Sequence, residues 1–331
     1  MKNALKICYC GLLVALFLFC LTGCGKKEQV KSESSEPTKN IIVGFAQLGS
    51  ESAWRNANTK SVKEAAKEAG ITLIFRNAEN NMEEQLKSIR EFIMQQVDVI
   101  VLPPLVTEGW DEVLNEAKQA NIPVIICDRE IETDDPSLYV TFLGSDFVSE
   151  GVKAAEWLIN ATKDSNKTYN IVEIEGNVGS TPAIDRKKGF DSTVLKHPRF
   201  KILESTTGDF IRAKGRDIMN DMLKKYGNEI DVLFSHNDEM ALGAIEAIEA
   251  YGLKPGKDIL ILSIDGQKEA LEQIIAGKIN VSVECNPLFG HDLMNAVKDL
   301  TSGKTLPRRI ITKDNVFTIE NAEKELPNRE Y

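Results

Sequence analysis

The stretch "VDVIVLPPLVTEGWDEVLNEAKQANIPVIICDRE", residues 97–130, decides the fold class. Two apolar runs flank a segment, residues 110–120, whose spacing of apolar residues predicts a helix. An apolar run without alternating polar residues is typical of a strand buried on both faces, and such strands form parallel sheets covered by helices. The stretch therefore predicts a strand–helix–strand unit of a doubly wound α/β fold.

The same unit recurs along the chain from residue 41 onward. Runs rich in Ile and Val alternate with helical patterns, for example at residues 56–69, where Gly70 marks the stop, and at residues 150–160. The series restarts at "LYVTFLGSD", residues 138–146, and its last predicted strand lies in "INVSVECNP", residues 279–287. This pattern predicts two successive doubly wound parallel sheets in preference to one sheet of ten strands.

The first residues have the pattern of a secretory signal. Lys2 and Lys6 precede an apolar run, residues 11–21, which is shorter than the roughly 20 residues of a membrane-spanning helix. "LTGC", residues 21–24, is similar to the bacterial lipobox, which implies a signal peptide at 1–23 and lipidation at Cys24. An ordinary signal cut at another small residue is the alternative. Residues 24–40 are polar and predict a flexible tether, so we expect a lipid-anchored protein on the extracellular face of the cytoplasmic membrane.

Composition narrows the classes further. About 290 residues follow the tether, enough for two domains. The net charge of -10 and the lack of a basic run argue against a nucleic-acid partner. Beyond the tether only Cys127 and Cys285 occur, each beside an apolar strand. Buried thiols are the favoured interpretation, and a disulfide between them stays open.

Polar side chains follow successive predicted strands. Ligands of open parallel sheets bind beyond the carboxyl ends of the strands, so these side chains are candidates for one site. Arginine forks, carboxylates and a carboxamide make paired hydrogen bonds that match neighbouring sugar hydroxyls, and aromatic rings suit the CH-rich faces of a sugar. The candidates are Glu51, Ser52, Trp54, Arg55, Asp128, Arg129, Arg186, Phe210, Asn237, Asp265 and Glu284.

Each candidate also has a structural interpretation. Asp128 and Arg129 form an ordinary ion pair in that view, and Asn237 begins a helix as its N-cap. Asp265 with the following glycine is a common turn, and Trp54 is a core residue. The joint occurrence of these residues at strand ends favours the binding site.

Catalytic interpretations have less support. The three histidines, His197, His236 and His291, have no metal-ligand spacing, and the chain contains no nucleophile elbow or P-loop. We therefore expect no catalytic residue, no metal and no cofactor, and a binding protein in preference to an enzyme.

Seven segments together resemble one family. They are "VGFAQLGSESAWR", "IPVIICDRE", "AIDRKKGF", "TGDFIRAKG", "SHNDEMALGAIEAI", "GLKPGKDILILSIDG" and "SVECNP". They resemble the sugar-binding proteins of ABC importers, in the ribose/galactose cluster with the LacI-like, type I periplasmic-binding-protein fold, and are closest to the galactofuranose-binding subgroup.

The resemblance implies two lobes joined by a three-stranded hinge and closing on one sugar. The N-terminal lobe would comprise residues 41–144 and 285–311, and the C-terminal lobe residues 145–284 and 312–331. Matching motifs add Ala53 to the first lobe's half of the site and place Glu284 at the hinge.

The resemblance also implies partners. The chain would capture a monosaccharide, either galactofuranose-like or a related hexose or pentose, and deliver it as a monomer to an ABC permease with its ATPase subunits. The alternative is a sensor that presents bound sugar to a chemoreceptor or histidine kinase.

Overall fold

The computed structural model describes residues 40–331, which form one compact unit. The predicted signal peptide, residues 24–39 of the tether and the lipidation of Cys24 lie outside the described residues. Within the described part of the chain, no helix has both the length and the apolar character needed to cross a membrane.

Two six-stranded sheets confirm the predicted α/β architecture. The first sheet is parallel throughout and consists, in spatial order, of β11 (Arg309–Ile311), β5 (Thr141–Gly144), β4 (Val124–Cys127), β3 (Val99–Leu102), β1 (Ile42–Gln47) and β2 (Thr72–Asn77). The second consists of β12 (Val316–Thr318), β10 (Val281–Glu284), β9 (Leu260–Asp265), β8 (Val232–Ser235), β6 (Tyr169–Glu175) and β7 (Phe200–Thr207), with only β12 antiparallel to its neighbour.

Helices connect the strands and cover the sheets. They are α1 (Ala53–Ala69), α2 (Met82–Met94), α3 (Asp111–Gln119), α4 (Phe147–Ala161), α5 (Thr181–Val194), α6 (Arg212–Tyr226), α7 (Asp238–Tyr251), α8 (Lys268–Ile275), α9 (Gly290–Thr301) and α10 (Ala322–Glu325). Helix α1 begins three residues before the predicted start, because the Ser52 hydroxyl accepts a hydrogen bond from the Arg55 amide and caps it. Gly70 ends α1 as predicted, in the left-handed region at φ 70°.

The chain passes between the two sheets three times, after β5, after β10 and between β11 and β12. Strands β11 and β12 were not predicted from the pattern, because three residues are too few to show a period. The exact bounds of the two lobes stay a prediction, since the described residues form one compact unit.

The strands next to the candidate site are fully buried. Every residue of β3, β4, β5, β8 and β10 is buried, with helices packed on both faces of each sheet. Cys127 and Cys285 are both buried and free, so the disulfide alternative is wrong and the buried-thiol interpretation is confirmed. Burial raises the pKa of both thiols.

Candidate functional site

A cavity lies where the carboxyl ends of the strands of both sheets meet. Ten of the twelve predicted site residues line it, together with two that the sequence did not indicate, Pro182 and Cys285. The ten are Glu51, Ser52, Trp54, Arg55, Asp128, Arg129, Arg186, Phe210, Asn237 and Asp265. The structure thus brings these side chains together, while their contact with a ligand stays a prediction.

Arg55 is the centre of the first lobe's charged cluster. Its Nη2 lies 2.7 Å from Asp128 Oδ2, and its Nε lies 3.3 Å from Glu51 Oε1. Burial opposes its charge, but the two carboxylates raise the pKa of Arg55. Burial also raises the pKa of Glu51, yet the charges of Arg55 and Arg129 outweigh this and lower it. All three groups of the Arg55 cluster are therefore held in place, and the cluster is preorganised.

Arg129 is buried without a close carboxylate. Its Nη1 donates to the Leu105 carbonyl at 3.0 Å and its Nη2 donates to Asn177 Oδ1 at 3.1 Å, while its Nε lies 3.9 Å from Asp128 Oδ2. Burial, followed by the charge of Arg55, lowers the pKa of Arg129 to about 10. Of the three arginines that line this cavity, Arg129 alone has a lowered pKa.

Arg186 on α5 organises the second lobe's half. Its Nε donates to Glu150 Oε2 at 2.7 Å and its Nη1 to the His236 carbonyl at 2.6 Å, and its Nη2 lies 3.7 Å from Asp265 Oδ1. Burial raises the pKa of Glu150 to about 7 against the opposing effect of Arg186, and burial likewise raises the pKa of Asp265. Arg186 thus links a carboxylate behind the cavity to one that lines it.

Phe210 forms one wall of the cavity. The guanidinium carbons of Arg129 and Arg186 lie 5.5 and 5.9 Å from its ring centroid. A Cβ at Gly176 would lie 1.9 Å from Phe210 Cζ, so only glycine leaves room for the ring.

Three residues that line the cavity have positive φ, namely Asp128 at 60°, Phe210 at 62° and Asp265 at 120°. The left-handed region is uncommon for residues other than glycine, although Asp adopts it more often than most, and the conformation of Asp265 is one that glycine adopts most readily. Such strain persists only where the surrounding structure holds the residue.

Several buried polar atoms around the cavity have no hydrogen-bond partner within residues 40–331. They include Glu51 Oε2, Arg55 Nη1 and Arg129 Nε. Buried polar atoms are almost always paired in proteins, because each unpaired one is costly. The cavity therefore presents acceptors and donors suited to a ligand that carries many hydroxyls.

Direct contacts close the cavity. On the side away from the hinge, the Thr107 amide donates to the Gly179 carbonyl at 2.9 Å, and the Glu130 amide donates to Thr181 Oγ1 at 3.0 Å. At the hinge, Trp54 Nε1 donates to the Cys285 carbonyl at 2.6 Å. The two lobes are thus in a closed arrangement.

Two predicted site residues lie elsewhere. The side chain of Ala53 is exposed at the start of α1. Glu284 is buried but turns away from the cavity: its Oε1 accepts from Arg329 Nη1 at 2.6 Å, and its Oε2 accepts from the Asn315 amide at 3.0 Å. A ligand-binding role for either one stays a prediction.

Some interpretations weighed against binding also hold. Asn237 caps α7, since its Oδ1 accepts from the Met240 amide at 3.0 Å, and it lines the cavity as well. Glu150 was not predicted, because an acid in the first turn of a helix is common for electrostatic reasons alone. No group of metal-ligating side chains suited to an ion occurs among the residues described.

The comparisons with known proteins agree with this geometry. Residues 43–305 match the periplasmic binding protein domain family. The galactofuranose-binding protein YtfQ of Escherichia coli K12 is 40% identical over 87% of this chain and 91% of its own length. A Mycobacterium smegmatis structure in complex with β-D-fucofuranose is 47% identical, with a TM-score of 0.85 over 88% of this chain and 95% of the other. The binding protein of the arabinose ABC transporter of Shewanella sp. ANA-3, bound to α- and β-L-arabinofuranose, is 44% identical, with a TM-score of 0.84 over 88% and 96% of the two chains.

Proposed function

The chain belongs to the periplasmic binding protein domain family, and from this premise we propose that it captures one monosaccharide between its lobes for an ABC importer. The observation that carries the proposal is the closed cavity lined by charged side chains with unpaired polar atoms. Sugar hydroxyls both donate and accept hydrogen bonds, so one sugar could satisfy unpaired donors and unpaired acceptors at once.

The charges of the cavity favour a neutral ligand. Three arginines and three carboxylates line it: Arg55, Arg129, Arg186, Glu51, Asp128 and Asp265. As formal charges the six groups cancel, although burial raises the pKa of Asp265. A sugar phosphate or a uronate would also have to lose the hydration of its own charge in this buried site, which is costly. The ligand we propose is therefore an uncharged, polyhydroxylated ring.

The ring form we propose is a furanose. The support is that two relatives more than 40% identical to this chain are named for furanose sugars bound in their structures, and YtfQ is named for galactofuranose.

Delivery is the finer part of the proposal. A sugar would shift the equilibrium toward the closed form through its higher affinity for that form. The closed, sugar-bound protein would then dock on a membrane permease, and separate ATPase subunits would drive transport. We further propose that Cys24 carries a lipid that holds the protein as a monomer on the outer face of the cytoplasmic membrane, and that the protein catalyses no reaction.

Calorimetric titration of the protein with free sugars tests the proposal. The panel contains galactose, arabinose, fucose and ribose, and the locked rings 1,4-anhydrogalactitol and 1,5-anhydrogalactitol report the ring form. The five-membered 1,4-anhydride should bind and the six-membered 1,5-anhydride should not. A ligand at 100 times Kd should also stabilise the fold by about 2.7 kcal/mol. Binding of a charged sugar in preference to every neutral one would refute the proposal.

A further inference from the structure

The 329–331 segment contacts the hinge and the back of the candidate site. Arg329 donates to Glu284 Oε1 from both Nη atoms, at 2.6 Å from Nη1, and its Nη2 also donates to the Tyr331 hydroxyl at 3.2 Å. That hydroxyl in turn donates to the backbone carbonyl of Asp265 at 3.0 Å. Glu284 and Asp265 are register partners on neighbouring strands, so these four residues form a closed ring of contacts.

The segment is held on several sides. The Lys268 amide donates to the Tyr331 carbonyl at 2.6 Å, and the Arg329 guanidinium carbon lies 4.7 Å from the centroid of the Phe317 ring. Glu330 lines a surface groove that also includes Ala57 of α1. The segment therefore packs on the second sheet where the chain crosses between the lobes, and its Glu330 lines a groove that α1 of the first lobe also lines.

These contacts hold Asp265, whose backbone conformation is unfavourable for a residue other than glycine. Asp265 has φ 120°, and its carboxylate has only distant partners, Arg186 Nη2 at 3.7 Å and Gln267 Nε2 at 3.5 Å. A strained residue keeps its conformation only if its neighbours fix it. The Asp265 carbonyl has two donors, the Tyr331 hydroxyl and the Cys285 amide, the latter at 3.2 Å.

We propose that Arg329 and Tyr331 are positioning residues of the sugar site, and that they act through the backbone of Asp265. In this assignment Glu284 is the anchor for Arg329 at the hinge. The inference rests on the proposed function for its affinity readout, and it extends the site to a segment that does not line the cavity.

Tyr331→Phe is the central test, because it removes one hydroxyl and keeps the ring. We expect the Kd for the sugar that binds the wild-type protein to rise about threefold to tenfold, the effect of losing one hydrogen bond. Tyr226→Phe is the matched control. The Tyr226 hydroxyl also donates one hydrogen bond, to Glu204 Oε2 at 3.0 Å, but Tyr226 does not line the cavity. The control should leave Kd unchanged.

A double-mutant cycle separates positioning from general stabilisation. In an Asp265→Asn background, where the carboxylate that needs positioning is absent, Tyr331→Phe should change Kd by less than about twofold. An equal change in both backgrounds, or no change in either, would overturn the proposal. Arg329→Gln should weaken binding more than Tyr331→Phe, and Arg329→Lys should recover part of the loss.

Hydrogen exchange gives a readout that needs no sugar. Backbone amides of residues 264–269 should exchange faster in ligand-free Tyr331→Phe and Arg329→Gln than in the wild type, with residues 232–240 unchanged. If no sugar binds the wild-type protein, the proposed function fails. Hydrogen exchange would still decide whether Arg329 and Tyr331 hold the backbone of Asp265 in place. Unchanged exchange at residues 264–269 would refute this positioning role.

Discussion

Replacing Arg129 by methionine should abolish sugar binding while leaving the stability of the ligand-free protein nearly unchanged. Burial lowers the pKa of Arg129 to about 10, at least about 2 pH units below that of a free arginine. At about 1.36 kcal/mol per pKa unit, keeping this side chain charged at neutral pH lowers the free energy of unfolding by about 3 kcal/mol. Methionine removes that cost and fills most of the same volume.

The substitution also removes two hydrogen bonds. The Leu105 carbonyl and Asn177 Oδ1 lose their donor, but both residues are partly exposed and can bond to water. We assign about 1 to 3 kcal/mol to this loss. The net change in the free energy of unfolding should therefore be smaller than about 2 kcal/mol in either direction.

Arg55→Met is the matched comparison. Arg55 lies 2.7 Å from Asp128 Oδ2 and 3.3 Å from Glu51 Oε1, so its removal leaves two buried carboxylates without their main partner. Breaking a buried pair in this way costs about 3 to 5 kcal/mol.

Urea unfolding at pH 7 without sugar measures both stabilities, and calorimetry measures both affinities. Both variants should lose at least about 100-fold in affinity, since each removes a charged hydrogen-bonding fork. The reasoning is wrong if Arg129→Met destabilises the ligand-free protein as much as Arg55→Met does, or if it binds sugar like the wild type.

Three other predictions concern single groups. The pKa of Glu150 is about 7 in the folded chain, against an ordinary value of 4.5. Between pH 4.5 and 7 the folded chain therefore keeps the Glu150 proton that the unfolded chain has released, so the free energy of unfolding falls as pH rises through this window. Glu150→Gln should therefore narrow the difference between urea midpoints at pH 5 and pH 7.5, and an unchanged difference would contradict the assignment. Gly176→Ala should push the Phe210 ring out of place, since the new Cβ would lie 1.9 Å from Cζ, and calorimetry should show sugar binding weakened by at least about tenfold. Cys127 and Cys285 are both buried with raised pKa values, so both should resist a thiol reagent in the folded chain and react in urea. Rapid reaction of Cys285 in the folded chain would contradict this and would show that the cavity it lines opens readily.

Much of the fold and of the cavity lining could be predicted from the sequence, for a physical reason. Strands buried on both faces, such as β3 and β4, are uniformly apolar and stand out, and in a parallel sheet the residues after each strand share one edge. Arg129 and Asp265 were found in this way.

The missed features depend on contacts between distant parts of the chain. The ligand-binding role predicted for Glu284 stays a prediction, and nothing in its local sequence indicates that Arg329, 45 residues later, pairs with its carboxylate. Glu150 has no local pattern that separates a partner of Arg186 from an ordinary acid in a first helical turn. Cys285 lines the cavity because the chain crosses between the sheets there, which no run of apolar residues reveals.

The hydrogen bonds that join the lobes on the side away from the hinge have a consequence for selectivity. The hydrogen bonds that the amides of Thr107 and Glu130 make across the mouth of the cavity involve no sugar, so they stabilise the closed arrangement by the same amount whichever sugar is bound. Apparent affinity is the intrinsic affinity scaled by the population of the competent form. Changes at this rim would raise or lower the affinity for every sugar by one common factor, while the rank order of sugars would stay with the residues that line the cavity. Substitutions at the rim can thus change the sugar concentration at which the protein is half saturated without changing which sugar it prefers.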